Sequence, residues 1–181
     1  MGGADKALAP LAGRSLIAHV LDRLEPQVER VLISANGDGA RFAAFGCDVI
    51  ADAVPQGPLS GVHAALVVAA AAGATHLVST PVDTPFLPGD LVPQLLLAAE
   101  GSVEGLALAA TVDGDHPATA LWPVGLAADL GRFLAAGEAK VTRFTDAHHA
   151  ARARFPDARA FLNLNTPQDI ATAEAMLRGA A

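Results

Sequence analysis

An aspartate between two prolines, Asp83 in Ser79-Thr80-Pro81-Val82-Asp83-Thr84-Pro85-Phe86, follows directly on the apolar run Thr75 to Val78. A buried parallel strand that breaks into such a turn delivers its carboxylate to the carboxyl edge of a sheet, where open α/β folds bind ligands. A carboxylate in that place suits a hard divalent cation, which takes one or two carboxylates and fills its other positions with phosphate oxygens and water. Turn chemistry alone also accounts for an Asp between prolines, so this stretch by itself leaves both readings open. A second stretch, Gly57-Pro58-Leu59-Ser60-Gly61, opens an alanine-rich helix. Its backbone N–H groups favour an anion, and its Pro and glycines equally suit a helix start with close packing.

The elements that must position these residues alternate along the chain. Leu16, Ile17, Val20, Leu21 and Leu24 follow helical spacing, with Ser15 as the N-cap and Pro26 beyond the end. Strands are predicted over 30–34, 48–51 and 75–79, and helices over 39–45, 57–72 and 89–100. In the second half, 106–112 and 119–122 read as neighbouring strands separated by the polar turn Asp113-Gly114-Asp115-His116-Pro117. Helices follow over 126–136 and 141–147, extended segments over 153–155 and 160–164, and a last helix from Thr166-Pro167 to about Arg178. Strands alternating with helices at these lengths imply an α/β fold with a mostly parallel sheet covered on both faces. The helix near Ser15 has no strand before it, only Met1 to Lys6 and the short apolar stretch Ala7 to Leu11, so the fold begins mid-motif.

At 181 residues the chain suits one domain with a core of useful size. Its apolar fraction of 52% and mean hydropathy of +0.38 owe much to alanine, and the longest apolar stretch, Val62 to Ala74, is too short to span a bilayer. With no export signal in view, a cytoplasmic protein is expected. The formal charge of −7, without a Lys/Arg cluster, disfavours nucleic acid as a partner. Small anions remain accessible through local Lys side chains, backbone N–H groups and a bound cation. Cys47 is the only cysteine, which excludes an internal disulfide, and its place between Phe45 and Val49 favours a packed thiol.

In order along nearly the whole chain, these pieces resemble the molybdenum cofactor guanylyltransferases. Met1-Gly2-Gly3-Ala4-Asp5-Lys6-Ala7-Leu8 is similar to the end of that family's signature loop, L-A-G-G-x-S-x-R-M-G-G-x-D-K-x-L. Ile33-Ser34-Ala35-Asn36 and Val49-Ile50-Ala51-Asp52 resemble its second- and third-strand motifs. Gly57 to Gly61 resembles G-P-L-A-G, and Pro81 to Phe86 resembles P-C-D-T-P-F. His116-Pro117, Leu121-Trp122 and Asn163-Leu164-Asn165-Thr166-Pro167 fit its C-terminal half.

The resemblance implies a three-layer, Rossmann-like nucleotidyltransferase fold forming one domain over 1–181, with a nucleotide half at about 1–100 and an acceptor half at about 101–181. It implies transfer of GMP from GTP to the phosphate of molybdopterin with Mg²⁺, releasing pyrophosphate. Asp83 would hold the metal, and Lys6 would act on the triphosphate as a point charge. Gly2, Gly3, Asn36, Asp52, Gly57, Pro58 and Leu59 resemble nucleotide-contacting positions. His116, Pro117, Asn163 and Asn165 belong to the pterin side, where turn and strand-end hydrogen bonding is the alternative use. A monomer is expected, with a molybdenum-insertion protein or molybdoenzyme chaperone as a further partner and neither membrane nor nucleic acid involved. Two rivals share these features: a cytidylyltransferase or other nucleotidyltransferase of the same fold, and a non-catalytic protein that binds and delivers the cofactor.

Two departures stand out. Val82 replaces the usual Cys, a conservative change where a buried thiol packs as a small hydrophobe. The strand and L-A-G-G turn that precede Met1 in the family pattern are missing, so the working protein is expected to be longer by about 15 to 20 residues, a strand plus a loop.

Overall fold

The computed structural model describes residues 5–52 and 57–179, and its elements run in chain order from a short hairpin to a C-terminal helix. Strands β1 (Pro10–Leu11) and β2 (Arg14–Ser15) form that hairpin, followed by α1 (Leu16–Leu24), β3 (Leu32–Ser34), β4 (Asp48–Ile50), α2 (Pro58–Ala71) and β5 (His76–Ser79). Then come α3 (Leu91–Ala99), β6 (Ala107–Thr111), β7 (Gly114–Pro123), α4 (Ala127–Ala135), α5 (Val141–Ala147), β8 (Ala151–Arg154) and α6 (Pro167–Gly179). The hairpin escaped periodicity because its strands are two residues long. Its turn, Ala12-Gly13, has φ of 49° and 80°, the doubly left-handed geometry that tight hairpins require.

Four strands lie in the order β5-β7-β6-β8, with β6 and β8 parallel and β7 antiparallel to both β5 and β6. Strands β3 and β4 pair in parallel, Leu32 opposite Asp48. Among the described residues no ladder joins β3 to β5. The sheet is therefore mixed, within the α/β class the alternation implies.

Side-chain alternation along β6 divides the core. Ala107 and Ala109 face α1 and α3, meeting Val20, Leu24, Leu91 and Leu95. Leu106, Leu108 and, from β7, Ala120 and Trp122 face α2, α4 and α5, meeting Leu59, Leu66, Leu130 and Phe144. Helices thus cover both faces and make three layers. All five residues of β6 are buried, as expected of a strand with neighbours on each side and helices above and below. No described helix is long and apolar enough to cross a membrane.

Three local expectations need correction. Asp115, His116 and Pro117 belong to β7, not to the turn; the turn is Val112-Asp113, between paired Thr111 and Gly114. The pairing slips at Leu108/Ala109, where partners jump from Ala120 to His116, and this irregularity accommodates Pro117, which has no N–H for a ladder. Residues 158–161 form a 3₁₀ turn, because the Asp157 carboxylate accepts the Arg159 N–H at 3.0 Å and offers the backbone an alternative to extension. The strand leading to Asp83, read as buried and parallel, pairs among the described residues only with β7, antiparallel, and none of its four residues is fully buried. The helix expected over 39–45 forms as a 3₁₀ helix, started by Asp38 on the Ala40 N–H at 2.9 Å and ended by left-handed Gly46. Ser15 holds the N-cap position of α1 in an extended conformation, but its hydroxyl makes no capping bond.

Candidate active site

Asp83 reaches the sheet edge on the turn that leaves β5. The Thr84 hydroxyl donates to the Pro81 carbonyl at 2.7 Å, and the Asp83 carbonyl accepts the Leu164 N–H at 2.9 Å. Val82 packs into a cluster with Ala7, Ile17, Ile33 and Phe42, so the position that carries Cys in the family pattern serves as a small hydrophobe. One residue earlier than Ala7, Lys6 sits in a 3₁₀ turn capped by Asp5, whose carboxylate accepts the Ala7 N–H at 3.0 Å. Ala7 and Val82 share a cluster, and their neighbours Lys6 and Asp83 are brought face to face.

The Lys6 ammonium donates to the Asp83 carboxylate at 2.5 Å and also to the Asn165 side-chain oxygen. The Lys6 side chain is 33% exposed and that of Asp83 17%. Asn165 is fixed from the C-terminal side. The Asp169 carboxylate accepts the backbone N–H groups of Asn165 and Thr166 at 2.9 and 2.7 Å, while Thr166 Oγ1 accepts the Asp169 N–H at 3.1 Å. These bonds are a reciprocal cap on α6. They hold the Asp169 carboxyl below the usual carboxylate range, the Thr166 bonds contributing most, then the Asn165 N–H, with the Lys6 charge adding to them. Three segments far apart in sequence thus converge on one ammonium. Two hard oxygen acceptors that hold a cationic group are also a donor set that a divalent cation can use.

A second cluster lies where β3 and β4 end. The Asn36 side-chain oxygen accepts the Asp52 N–H at 3.1 Å, and the Asp52 carboxylate accepts the Ser60 hydroxyl at 2.7 Å. The same hydroxyl lies 2.8 Å from the Gly57 carbonyl and shares its one proton between the two acceptors, tying the start of α2 to the end of β4. Gly57 has φ of 84°, Pro58 opens the helix, and Leu59 is fully buried. The helix sits this close because residue 61 is glycine. A Cβ there would lie 2.6 Å from Ser34 Oγ and 3.4 Å from Asp52 Oδ1. Gly61→Ala is therefore expected to cost about 1–3 kcal/mol through overpacking. A thermal scan should read this as roughly 2–4 °C lost per kcal/mol; an unchanged midpoint would show that Ser34 simply turns away.

Of the residues read as pterin-side, Asn165 joins the Lys6 cluster. Asn163 is exposed, two positions earlier across buried Leu164. His116 stacks on Phe161, ring centroids 4.6 Å apart at 15°, and its Nε2 lies 3.0 Å from Thr111 Oγ1. Its ring thus supports the segment that leads to Asn163 and Asn165, with Pro117 beside it on β7. Gly2 and Gly3 lie outside the described residues. Burial holds the His116 imidazole below its ordinary pKa, against the opposing pull of Asp115 and Asp113. A depressed folded-state pKa means that the contribution is whole above the unfolded value of about 6.5 and is lost as pH falls through the folded one. Melting temperatures should fall more between pH 7.5 and 5.5 for wild type than for His116→Gln; equal losses would remove His116 from the acid response.

Sequence reasoning missed Asp5 and Ser60 as parts of these clusters, and Arg41, which lies between them on Asp5 and the Asn36 carbonyl. Ser60 and Asp5 lie inside quoted motifs, whereas Arg41 is a lone basic residue in an alanine-rich segment. Cys47 packs beside Phe45 and Val49, and burial raises its thiol pKa, as a packed thiol should.

The MobA-like NTP transferase domain matches residues 1–152. A molybdenum cofactor guanylyltransferase of Cereibacter sphaeroides is 59% identical over 178 residues, covering 98% of this chain and 91% of that protein. One from Rhodopseudomonas palustris strain HaA2 is 48% identical over 183 residues, covering 97% and 86%. Among solved structures, molybdopterin-guanine dinucleotide biosynthesis protein A from Archaeoglobus fulgidus superposes with a TM-score of 0.72 at 22% identity, covering 98% and 92%. A 2-C-methyl-D-erythritol 4-phosphate cytidylyltransferase from Thermus thermophilus superposes at 0.66 with 19% identity, covering 96% and 94%. The structural likenesses establish a shared nucleotidyltransferase fold, the family match spans most of the chain, and the relatives cover nearly all of it: the chain belongs to the MobA-like NTP transferase family.

Proposed function

We propose that this protein transfers GMP from GTP to the phosphate of molybdopterin in a Mg²⁺-dependent reaction. The observation that carries the reading is the convergence of Lys6, Asp83 and Asn165, in a chain 59% identical to a named guanylyltransferase over nearly its whole length. A phosphate oxygen of molybdopterin attacks the α-phosphorus of GTP; that P–O bond forms, the bond to the bridging oxygen breaks, and pyrophosphate leaves. Nucleotidyl transfer asks the protein for position and charge neutralisation rather than a covalent intermediate.

In this reading Asp83 would hold Mg²⁺, which would supply neutralisation of the phosphate charge. Lys6 has three ammonium donors, two of them directed at Asp83 and Asn165, and it exchanges carboxylate for phosphate when the triphosphate arrives. Asn36, Asp52, Gly57, Pro58 and Leu59 form the nucleotide side, where the first turn of α2 offers N–H groups to an anion. His116, Pro117, Asn163 and Asn165 form the acceptor side. The product passes to a docking protein of the molybdoenzyme pathway in the cytoplasm.

Because a cytidylyltransferase shares the fold, base choice is the direct test. Pyrophosphate release is measured with molybdopterin, Mg²⁺ and each of GTP, CTP and ATP. Release with GTP alone is expected. Release with CTP alone would move the protein to cytidylyl transfer, and cofactor binding without release from any nucleotide would make it a delivery protein.

A further inference from the structure

The two clusters of the site are joined by one side chain that neither contains. Arg41 lies in the 3₁₀ segment between β3 and β4, 27% exposed, with its guanidinium 4.5 Å above the ring of fully buried Phe42. Its Nε donates to the Asp5 carboxylate at 2.6 Å, its Nη2 to the Asn36 carbonyl at 2.9 Å, and its Nη1 to the Asp38 carbonyl. Each partner leads to one half of the site. Asp5 uses its other oxygen to cap the turn that presents Lys6, and Asn36 uses its side chain to hold the Asp52 N–H. A continuous path therefore runs from Lys6 through Asp5, Arg41, Asn36 and Asp52 to Ser60 at the head of α2.

From this path we infer that Arg41 is a positioning residue that fixes the Lys6 turn relative to the Asn36–Asp52 nucleotide side. The inference rests on the functional reading above for what the two halves bind, and on geometry alone for the tie between them. A planar fork with five donors can meet three acceptors in different directions while its face lies on an aromatic ring; an ammonium cannot. Lysine at position 41 should keep the charge and lose the tie. Sub-ångström displacement of a group that must meet a phosphate is costly to rate, so the tie matters to the reaction although Arg41 itself need touch no substrate.

The test compares wild type, Arg41→Lys and Arg41→Ala in two measurements. In amide hydrogen exchange, the Ala7 N–H, held by the Asp5 carboxylate that Arg41 binds, and the Asp52 N–H, held by the side chain of Asn36 whose backbone carbonyl Arg41 binds, should exchange about tenfold faster in both variants. In the GTP reaction, KM for GTP should rise and kcat should fall, each by about tenfold, with lysine giving little rescue. If the chain proves inactive toward GTP, exchange still decides whether Arg41 ties the two halves, so failure of the functional reading and failure of this inference are distinguishable. Unchanged exchange at both amides overturns it. Faster exchange with unchanged kinetics, or full rescue by lysine, also overturns it, since Arg41 would then only stabilise the fold. Should Arg41→Ala fail to fold, Arg41→Lys carries both measurements, because it retains the charge and the aliphatic stem.

Discussion

Asp83→Asn is expected to lower GTP-dependent pyrophosphate release by about a thousandfold while leaving the fold in place. The substitution keeps the shape of the side chain, removes its charge and exchanges one acceptor oxygen for an amide donor. Loss of one oriented electrostatic group in a transfer site costs about a hundred- to a thousandfold in rate, and on the proposal that Asp83 would hold Mg²⁺ its loss belongs at the upper end. Stability should change by about 1 kcal/mol or less. The Lys6 partner is one-third exposed, so its ammonium can return to water, and the turn keeps its Thr84 and Leu164 bonds to backbone oxygens. A steady-state assay paired with a thermal melt separates the two effects. Activity within about twofold of wild type would remove Asp83 from the reaction; a large drop in melting temperature would make its role structural.

The second large effect concerns the strand end that carries this turn. Trp122 is fully buried in β7, beside Phe144 at 6.1 Å between ring centroids and among Leu59, Leu66 and Leu130. Its indole N–H donates to Ser79 Oγ at 2.8 Å, and Ser79 donates in turn to the Ala118 carbonyl at 2.9 Å. Ser79 is the last residue of β5, so the core residue also steadies the start of the Asp83 turn. Trp122→Ala should cost about 3–5 kcal/mol, a large share of a total margin of about 5–15 kcal/mol. Calorimetry should show a melting temperature lower by about 6–20 °C. Trp122→Phe keeps most of the ring and loses the N–H, so it should cost only about 1–2 kcal/mol. A small effect from the alanine variant would mean that the helices over this face collapse into the space.

The strand before Asp83 was legible in position because it obeys local rules, an apolar run and then a turn fixed by two prolines, but its burial and parallel pairing were not: β5 ends the four-stranded sheet, antiparallel to β7, with no fully buried residue. Local rules also place α1, whose apolar residues repeat at helical spacing, and α6, announced by Thr166-Pro167. What brings Lys6 to Asp83 obeys no local rule. They are 77 positions apart, joined because Ala7 and Val82 happen to pack in one cluster, and no periodicity encodes which clusters meet. Asn165 was visible as part of a motif but was placed on the acceptor side only; its contact with Lys6 follows from the capping of α6 by Asp169. The turn at Asp113–Pro117 was misplaced because polar residues and a proline signal a turn equally well inside an irregular strand. Arg41 left no signal at all, since one Arg among alanines reads as a solvated surface residue until Asp5 and Asn36 are brought to it.

The claim that Asp83 and Lys6 form a metal–nucleotide site is tested most directly by electron paramagnetic resonance of Mn²⁺ with GTP. Mn²⁺ stands in for Mg²⁺ because both prefer oxygen ligands in octahedral geometry. Wild-type protein is predicted to give a protein-bound, GTP-dependent signal from about one Mn²⁺ per chain, and Asp83→Asn to lose it while Asp169→Asn retains it. An identical bound signal from wild type and Asp83→Asn would contradict the account.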